Sequence, residues 1–298
     1  MNNIERHQSS VQMVSFNAWA LPIWLPGHDH SIRYGMIPQK LIDTGADIIC
    51  IQEAFADSFR RELLSTTSDH YNTCSNFRCN RSILGLVKMD CYGGLMTLSK
   101  FPIIDEEFFP FPKSRNMRWE ESLGAKGFLV TQIQIDRDTA YIINTHLYAG
   151  LKIDDEQHQM HQIKYMHELL ANRNILSHEV FLLGDLNVTH PSIAEERSQP
   201  RSKVYDYIVA EMGFMDSAPI VTKAEHTVDR AKNRYSSDKN GSQKLDYCFH
   251  RSPSKNNYHL DKTEILFAGA ERISDHMGWS STYRLTQHPT NAEETITA

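Results

Sequence analysis

The chain alternates short, almost wholly apolar runs with longer stretches in which apolar residues recur every three or four positions. Residues 11–16, 47–52 (DIICIQ) and 180–183 have the first pattern, which strands buried on both faces produce. Residues 93–98 and 103–109 read as strands on either side of a Lys-Phe-Pro turn. Residues 127–135 and 140–144 read as a hairpin pair, and residues 245–250, 264–268 and 278–284 as late strands. Helical spacing covers residues 32–44, closed by Gly45, and residues 155–170 and 202–212. Strands mixed with helices, with apolar runs too short to be buried helices, imply a layered α/β or α+β fold. No linker interrupts residues 11–286, which read as one domain between a flexible start (residues 1–10) and a polar tail (residues 287–298).

Polar residues recur where these strands end. Asn17 follows VQMVSF, Glu53 follows DIICIQ, His146 follows YIINT, and Asp185 and Asn187 follow FLLG. Asp246 sits early in KLDYCF, and Asp275 and His276 precede MGWSSTYRL. Taken singly, Asn17 could cap a turn, Glu53 could be a first-turn helix carboxylate and Asp185 could belong to a plain turn. Taken together, carboxylates, amides and histidines from several strand ends are the inventory of a metal and phosphate site. A hard cation such as Mg²⁺ takes carboxylate oxygens, water and substrate phosphate. Glu53 suits that role, and Mn²⁺ accepts the same donors. Phosphodiester hydrolysis also needs a water deprotonated in line with the leaving group, and donors for the developing charge. A histidine held by a carboxylate is the usual base near neutral pH, and His276 with Asp246 fits. His146, Asn17 and Asn187 can donate to phosphate oxygens.

Composition narrows this only a little. The 298 residues carry 31 Lys and Arg against 37 Asp and Glu, a formal net charge of -6. That balance weighs against a protein that tracks nucleic acid, without excluding a nuclease with a local basic patch. The five cysteines form no CxxC pair, so a zinc site is not expected. Cys50 lies in an apolar run and reads as core, and Cys74 and Cys79 could bridge in an exported protein. The opening MNNIERHQSSVQMV has no apolar segment of the signal-peptide kind, and no run of eighteen apolar residues exists to span a membrane. The expectation is a chain in the cytoplasm, or exported by a signal-independent route.

The motifs VSFNAW, IICIQEAF, YGGLMTLSKFPI, NTHLYAG, GDLNVTHP, KLDYCF and ISDHMGW stand in the order of those of the DNase I-like superfamily of endonucleases, exonucleases and phosphatases. The resemblance runs from about residue 11 to residue 285. It implies a four-layer α/β/β/α sandwich with the site at one edge. It also implies roles: Glu53 as main Mg²⁺ ligand with Asn17 nearby, and Asp275 as a second acidic residue near the metal. His146 would support phosphate or leaving group, Asp185 and Asn187 would orient water and phosphate, and His276 would be the general base with Asp246 as its partner. Whether one or two ions bind is left open.

Within the superfamily the chain is most similar to neutral sphingomyelinases. NAWALP resembles their Asn-x-Trp segment, which makes Trp19 a candidate substrate contact as well as a candidate core residue. LGAKGFL resembles their lysine-glycine segment, so Lys126 reads either as a phosphate contact or as a hairpin surface lysine. Residues 225–235 (EHTVDRAKNRY) resemble a loop before the LDY strand. The resemblance implies hydrolysis of sphingomyelin by a monomer acting peripherally on a phospholipid membrane, with a nuclease or phosphoinositide phosphatase as the alternative. Residues 251–273 depart from it, having no tryptophan cluster where secreted relatives carry an aromatic hairpin. Residues 21–28 (LPIWLPGH) and 106–119 (EEFFPFPKSRNMRW), where aromatic and basic residues mix, are the alternative membrane contacts.

Overall fold

The apolar runs form strands covered on both faces, as their lack of alternation requires. The computed structural model describes residues 10–22, 28–73, 81–83, 87–89, 93–135, 138–150, 152–218, 226–236, 241–253, 257–269 and 273–286. In chain order the elements are β1 (Ser10–Ala20), α1 (His30–Asp43), β2 (Ile48–Ala54), α2 (Asp57–Thr67), β3 (Asn72–Thr73), β4 (Arg81–Ile83), β5 (Val87–Met89) and β6 (Met96–Ser99). There follow β7 (Ile103–Pro110), α3 (Trp119–Leu123), β8 (Gly127–Ile135), β9 (Asp138–His146), α4 (Ile153–Asn172), a 3₁₀ turn (Ile175–Ser177), β10 (Glu179–Asp185) and α5 (Pro191–Glu196). The series closes with α6 (Lys203–Ala210), β11 (Met215–Asp216), β12 (Asp246–Arg251), β13 (Tyr258–Leu266) and β14 (Gly278–Leu285). Cys74, Cys79, Cys91, the polar tail and residues 23–27 of the apolar loop lie outside the described residues.

Two mixed sheets face each other, ordered β13-β14-β1-β2-β6-β3 and β11-β12-β10-β9-β8-β7, and β4 and β5 make a separate ribbon. Period-two alternation fixes what each side chain meets. In β10, Val180 and Leu182 point to the helices α4 and α6, with Met166 and Ile208 in the same core. Phe181 and Leu183 point the other way, into the layer between the sheets with Met13, Ile48, Cys50 and Cys248. In β2, Ile49 and Ile51 pack toward α1 and α2, against Ile37, Leu41, Phe59 and Leu63. Helices therefore cover the outer faces and the sheets cover each other, giving the expected α/β/β/α sandwich. Cys50 is fully buried between the sheets, as read from the sequence.

Several boundaries differ from the sequence reading. The strand expected at residues 264–268 starts at Tyr258, because it pairs along the whole of β14 despite its polar, exposed middle. The strand expected from Gly93 starts at Met96, since Gly93 and Gly94 adopt left-handed φ of 62° and 73°. Helix α2 escaped notice because only Phe59 and Leu63, at i and i+4, mark its buried face in a mostly polar segment. Phe109 and Phe111, read as membrane contacts, are 7% and 9% exposed and belong to the core under α4. The pleat of β7 turns Phe109 inward, and apolar burial against Phe128 keeps both rings there.

A buried amide ties the sheets together. Asn144 Nδ2 donates to the carbonyls of Ile51 (3.1 Å) and Met96 (2.8 Å), and its Oδ1 accepts from Gln52 Nε2 at 2.8 Å. Replacing it with an apolar residue strands buried polar partners. Asn144→Leu is expected to lower unfolding free energy by about 2–4 kcal/mol in urea titration.

Candidate functional site

The same alternation that builds the inter-sheet core carries polar side chains to its end. Met13, Ser15 and Asn17 share one face of β1, Phe181, Leu183 and Asp185 one face of β10, and Ile142, Asn144 and His146 one face of β9. Asp185 pairs in register with His146 on its parallel neighbour and with Asp246 on its antiparallel neighbour. Three reactive side chains are thus delivered side by side, a strand spacing apart. Asn17 faces them from the other sheet: its Nδ2 donates to Asp185 Oδ2 at 3.0 Å and to Glu53 Oε1 at 3.1 Å.

Glu53 breaks the alternation. Its neighbour Gln52 already occupies the inward position, and Glu53 reaches the cluster because its own φ is 55°, an uncommon value for a residue with a side chain. Gly94 makes room: a Cβ there would stand 3.0 Å from the Phe55 ring and 3.1 Å from Glu53 Cα. Gly93 does the same for the next loop, where a Cβ would stand 3.0 Å from Lys126 Cα. β1 bends as well, with a register shift between Asn17 and Ala20 and Trp19 at φ 48°.

His276 and Asp246 form the expected pair, Nδ1 to Oδ2 at 2.8 Å, leaving His276 Nε2 3.7 Å from Asp185 Oδ2. His146 turns Nε2 toward the cluster, 3.6 Å from Asp185 Oδ2 and 3.9 Å from Glu53 Oε1. Lys126 is no surface lysine. It is 9% exposed, and its Nζ lies 3.1 Å from His146 Nε2, 2.8 Å from the Leu147 carbonyl and 2.9 Å from Glu121 Oε2. Asn187, at φ 52°, donates from its backbone N–H to Asp185 Oδ1 and from Nδ2 to the Leu147 carbonyl. Ser274 donates to the Asn17 carbonyl at 2.6 Å and to Asp275 Oδ1 at 3.3 Å, which brings Asp275 to the same edge. Trp19 stands beside the cluster rather than in it. Its ring lies 4.0 Å from His28, 5.9 Å from Tyr235 and 4.6 Å from the Arg33 guanidinium.

Some supporting residues were not foreseen. Arg33, 1% exposed, donates to the carbonyls of Ala18, Trp19, His28 and Ile273, so it clamps the β1 bend to the loop carrying Asp275 and His276. Its signal was an arginine in the apolar stripe 33-37-41 of α1. Thr227 Oγ1 accepts from the backbone N–H of Leu245 and Asp246, and Asn233 Nδ2 donates to the Ser274 carbonyl. Lys244 is buried between the rings of Trp279 (3.8 Å) and Tyr247 (4.3 Å) and donates to the Asp246 carbonyl. Burial draws its pKa down to about 8.

The electrostatics are those of crowded buried carboxylates. Burial raises the pKa of Asp185 to about 6, and the charge of Asp246 adds to it. Burial and the charge of Glu53 raise Asp275 to about 6, and burial raises Glu53 as well. Burial disfavours the His276 imidazolium, yet Asp246, Asp185 and Asp275 outweigh it and hold that pKa well above the ordinary value. Burial, with the charges of Lys126 and His276, keeps His146 neutral. Asp246 Oδ1 is buried without a hydrogen-bond partner. An oxygen-rich donor set with excess negative charge and an unsatisfied oxygen fits a hard divalent cation. Donor atoms of Asp185, Asp246 and His276 all lie within 4.8 Å of one another. Since Asp246 already holds His276 Nδ1, Glu53 and Asp275 are the acids freer to take an ion.

Both carboxyls at about 6 are protonated in the fold at pH values where the unfolded chain has already ionised. In the cation-free chain their contribution to stability is complete below about pH 4 and is lost as pH rises through about 6. A cation competes with those protons. Mg²⁺ is expected to raise the melting temperature by about 5 °C at pH 7.5 and by little at pH 5, read by thermal denaturation against an EDTA control.

The model of the Endonuclease/Exonuclease/phosphatase family matches residues 14–276. Sphingomyelin phosphodiesterase 5 of Danio rerio is 29% identical over 142 residues, covering 40% of this chain and 24% of that protein. A sphingomyelinase of Dictyostelium discoideum is 27% identical over 197 residues, covering 54% of this chain and 41% of that protein. The matched stretches thus span less than half the length of these curated relatives. Among solved structures, SmcL superposes with a TM-score of 0.72 at 20% identity, covering 92% of this chain and 99% of its own. A Staphylococcus aureus beta toxin variant with bound magnesium ions gives 0.68 at 20% identity, with 91% and 99% covered. Truncated TDP2 of Caenorhabditis elegans gives 0.63 at 17% identity, with 92% and 97% covered. At these identities the likeness speaks for the fold.

Proposed function

Because the chain belongs to the endonuclease/exonuclease/phosphatase family, we propose that it is a divalent-cation-dependent phosphodiesterase that hydrolyses sphingomyelin to ceramide and phosphocholine. The observation that carries the reaction type is the His276–Asp246 pair, whose free Nε2 faces the Asp185, Asn17 and Glu53 cluster. The choice of substrate is supported by the two curated relatives, both of which are sphingomyelinases by name.

Asp246 holds the imidazole through Nδ1, so Nε2 is the atom that takes a proton from water. The water oxygen bonds to phosphorus, the bond from phosphorus to the ceramide oxygen breaks, and that oxygen takes up a proton from solvent while His276 releases the one it accepted. Asn17 fixes Asp185 and Glu53, and the Asn187 N–H fixes the other Asp185 oxygen, so the acids are preorganised. Lys126 would bring positive charge to phosphate oxygens, and neutral His146, whose Nε2 accepts from Lys126 Nζ, would position that ammonium. Glu53, with Asn17 and Asp275 beside it, would hold a divalent cation, whose charge would neutralise that on phosphate and leaving oxygen. Mg²⁺ is the ion proposed, with Mn²⁺ as the substitute that the same oxygens accept. The deprotonated base, like the cation, belongs to the upper end of the pH range, since His276 is held protonated well above its ordinary pKa in the cation-free chain.

The test is phosphocholine release from sphingomyelin in mixed micelles, with Mg²⁺ and EDTA arms. Release is expected only with the cation, and His276→Ala is expected to lower it by about a thousandfold or more. Cation-dependent nicking of plasmid DNA without phosphocholine release would instead establish a nuclease on the same residues.

A further inference from the structure

Helix α3 lies against the site and exposes an apolar face that no described residue covers. Trp119 is 69% exposed and Leu123 39%, and their i, i+4 spacing places them on one side of the helix. Lys113, Arg115 and Arg118 are exposed on the segment leading into it, against one exposed acid, Glu120, on the helix. The other side of α3 is tied down: Glu121 accepts from the Ala149 N–H at 3.2 Å and pairs with Lys126 at 2.9 Å. Arg118 keeps its side chain half exposed while its Nε donates to the Tyr148 hydroxyl at 2.9 Å. The aromatic and basic face is thus rigidly mounted on the loop that carries a site lysine. A lone exposed tryptophan would ask for no explanation. A tryptophan and a leucine side by side, preceded by three cations and anchored through Glu121 to Lys126, do.

We propose that the face formed by Trp119 and Leu123, with Lys113, Arg115 and Arg118, docks the enzyme on the surface of a phospholipid bilayer. Charge complementarity selects this occupant. The indole and the isobutyl group enter the zone between headgroups and acyl chains, where tryptophan is favoured, and the cations meet phosphates. Lipid would then be presented beside Lys126 without leaving the bilayer plane. The inference rests on the reading of the site as a lipid phosphodiesterase, and it replaces residues 106–111 as the docking part of the 106–119 segment. Phe109 and Phe111 are core there, and Trp119 is not.

The whole chain would be sedimented with vesicles of phosphatidylcholine and sphingomyelin, with and without phosphatidylserine. The double variant Trp119→Ser with Leu123→Ser is expected to partition about tenfold less on both. Arg115→Glu, at an exposed position, is expected to lose about fivefold or more, chiefly on the anionic vesicles. Ile32→Ser with Met36→Ser, removing an exposed apolar pair of α1, serves as the control and is expected to bind as the parent does. Undiminished binding of both the α3 variant and Arg115→Glu would overturn the proposal, as would an equal loss in the α1 control. Binding is read without turnover. A chain that docks through α3 but releases no phosphocholine therefore defeats the sphingomyelin reading and leaves the docking face standing.

Discussion

One amide group joins the halves of this molecule at the point where its chemistry gathers. Asn17 Nδ2 donates across the sandwich to Asp185 and along its own sheet to Glu53, while its Oδ1 accepts from the Trp19 N–H. Burial disfavours the charge on both acids, and a carboxylate without a partner at this depth would protonate or retreat to solvent. The shared donor holds two acids from two sheets within reach of one ion or one phosphate. The inter-sheet core from Met13 to Leu183 keeps the two strand ends facing each other closely enough for that bond to form.

Crowding acids in a buried edge has a cost that sets the rest of the design. Asp185, Asp246, Asp275 and Glu53 exceed the positive charge that Lys126 and His276 bring. Burial, with the neighbouring carboxylates, raises the pKa values of Asp185, Asp275 and Glu53, and the acids hold His276 protonated. The same excess negative charge suits the cation proposed for the site. Lys126 gives its charge to Glu121 as well as to the cluster, so the loop ahead of β8 joins the electrostatic balance of the site. That loop also carries α3, which places the outward aromatic face and the inward ion pair on five residues of one helix.

Much of the scaffold exists to hold backbone in unusual shapes. Arg33 ties four carbonyls around the bend after Asn17. Thr227 and Asn233 join the strand of Asp246 to the loop of His276 from a segment far from both in sequence. Lys244 fills the space under Asp246 with an aromatic-lined charge. Thr227 and Lys244 bond the backbone of Asp246, Arg33 and Asn233 bond backbone carbonyls beside Asn17 and Asp275, and each thereby fixes the carrier of a side chain in the cluster.

By itself the sequence determined the strands of four or more residues, though not all their bounds, with their buried faces and the polar residues at their ends, because period-two alternation is a local property. It follows that Asn17, His146, Asp185 and Asp246 point into one layer once the sheets form, and the ordered motifs marked them together with Glu53, Asp275 and His276. Tertiary structure alone decided how they meet. Glu53 lies off the alternation and enters the cluster through a left-handed backbone angle that Gly94 makes room for. Lys126 became a buried site residue because the turn at Gly93 packs onto its loop, and Arg33 left the surface because its partners are carbonyls from distant segments. The aromatic residues of the 106–119 segment look alike in sequence, yet packing sent Phe109 and Phe111 inward and left Trp119, on α3, outside. Local pattern sets the direction of a side chain, and only the closure of the sandwich sets what stands opposite it.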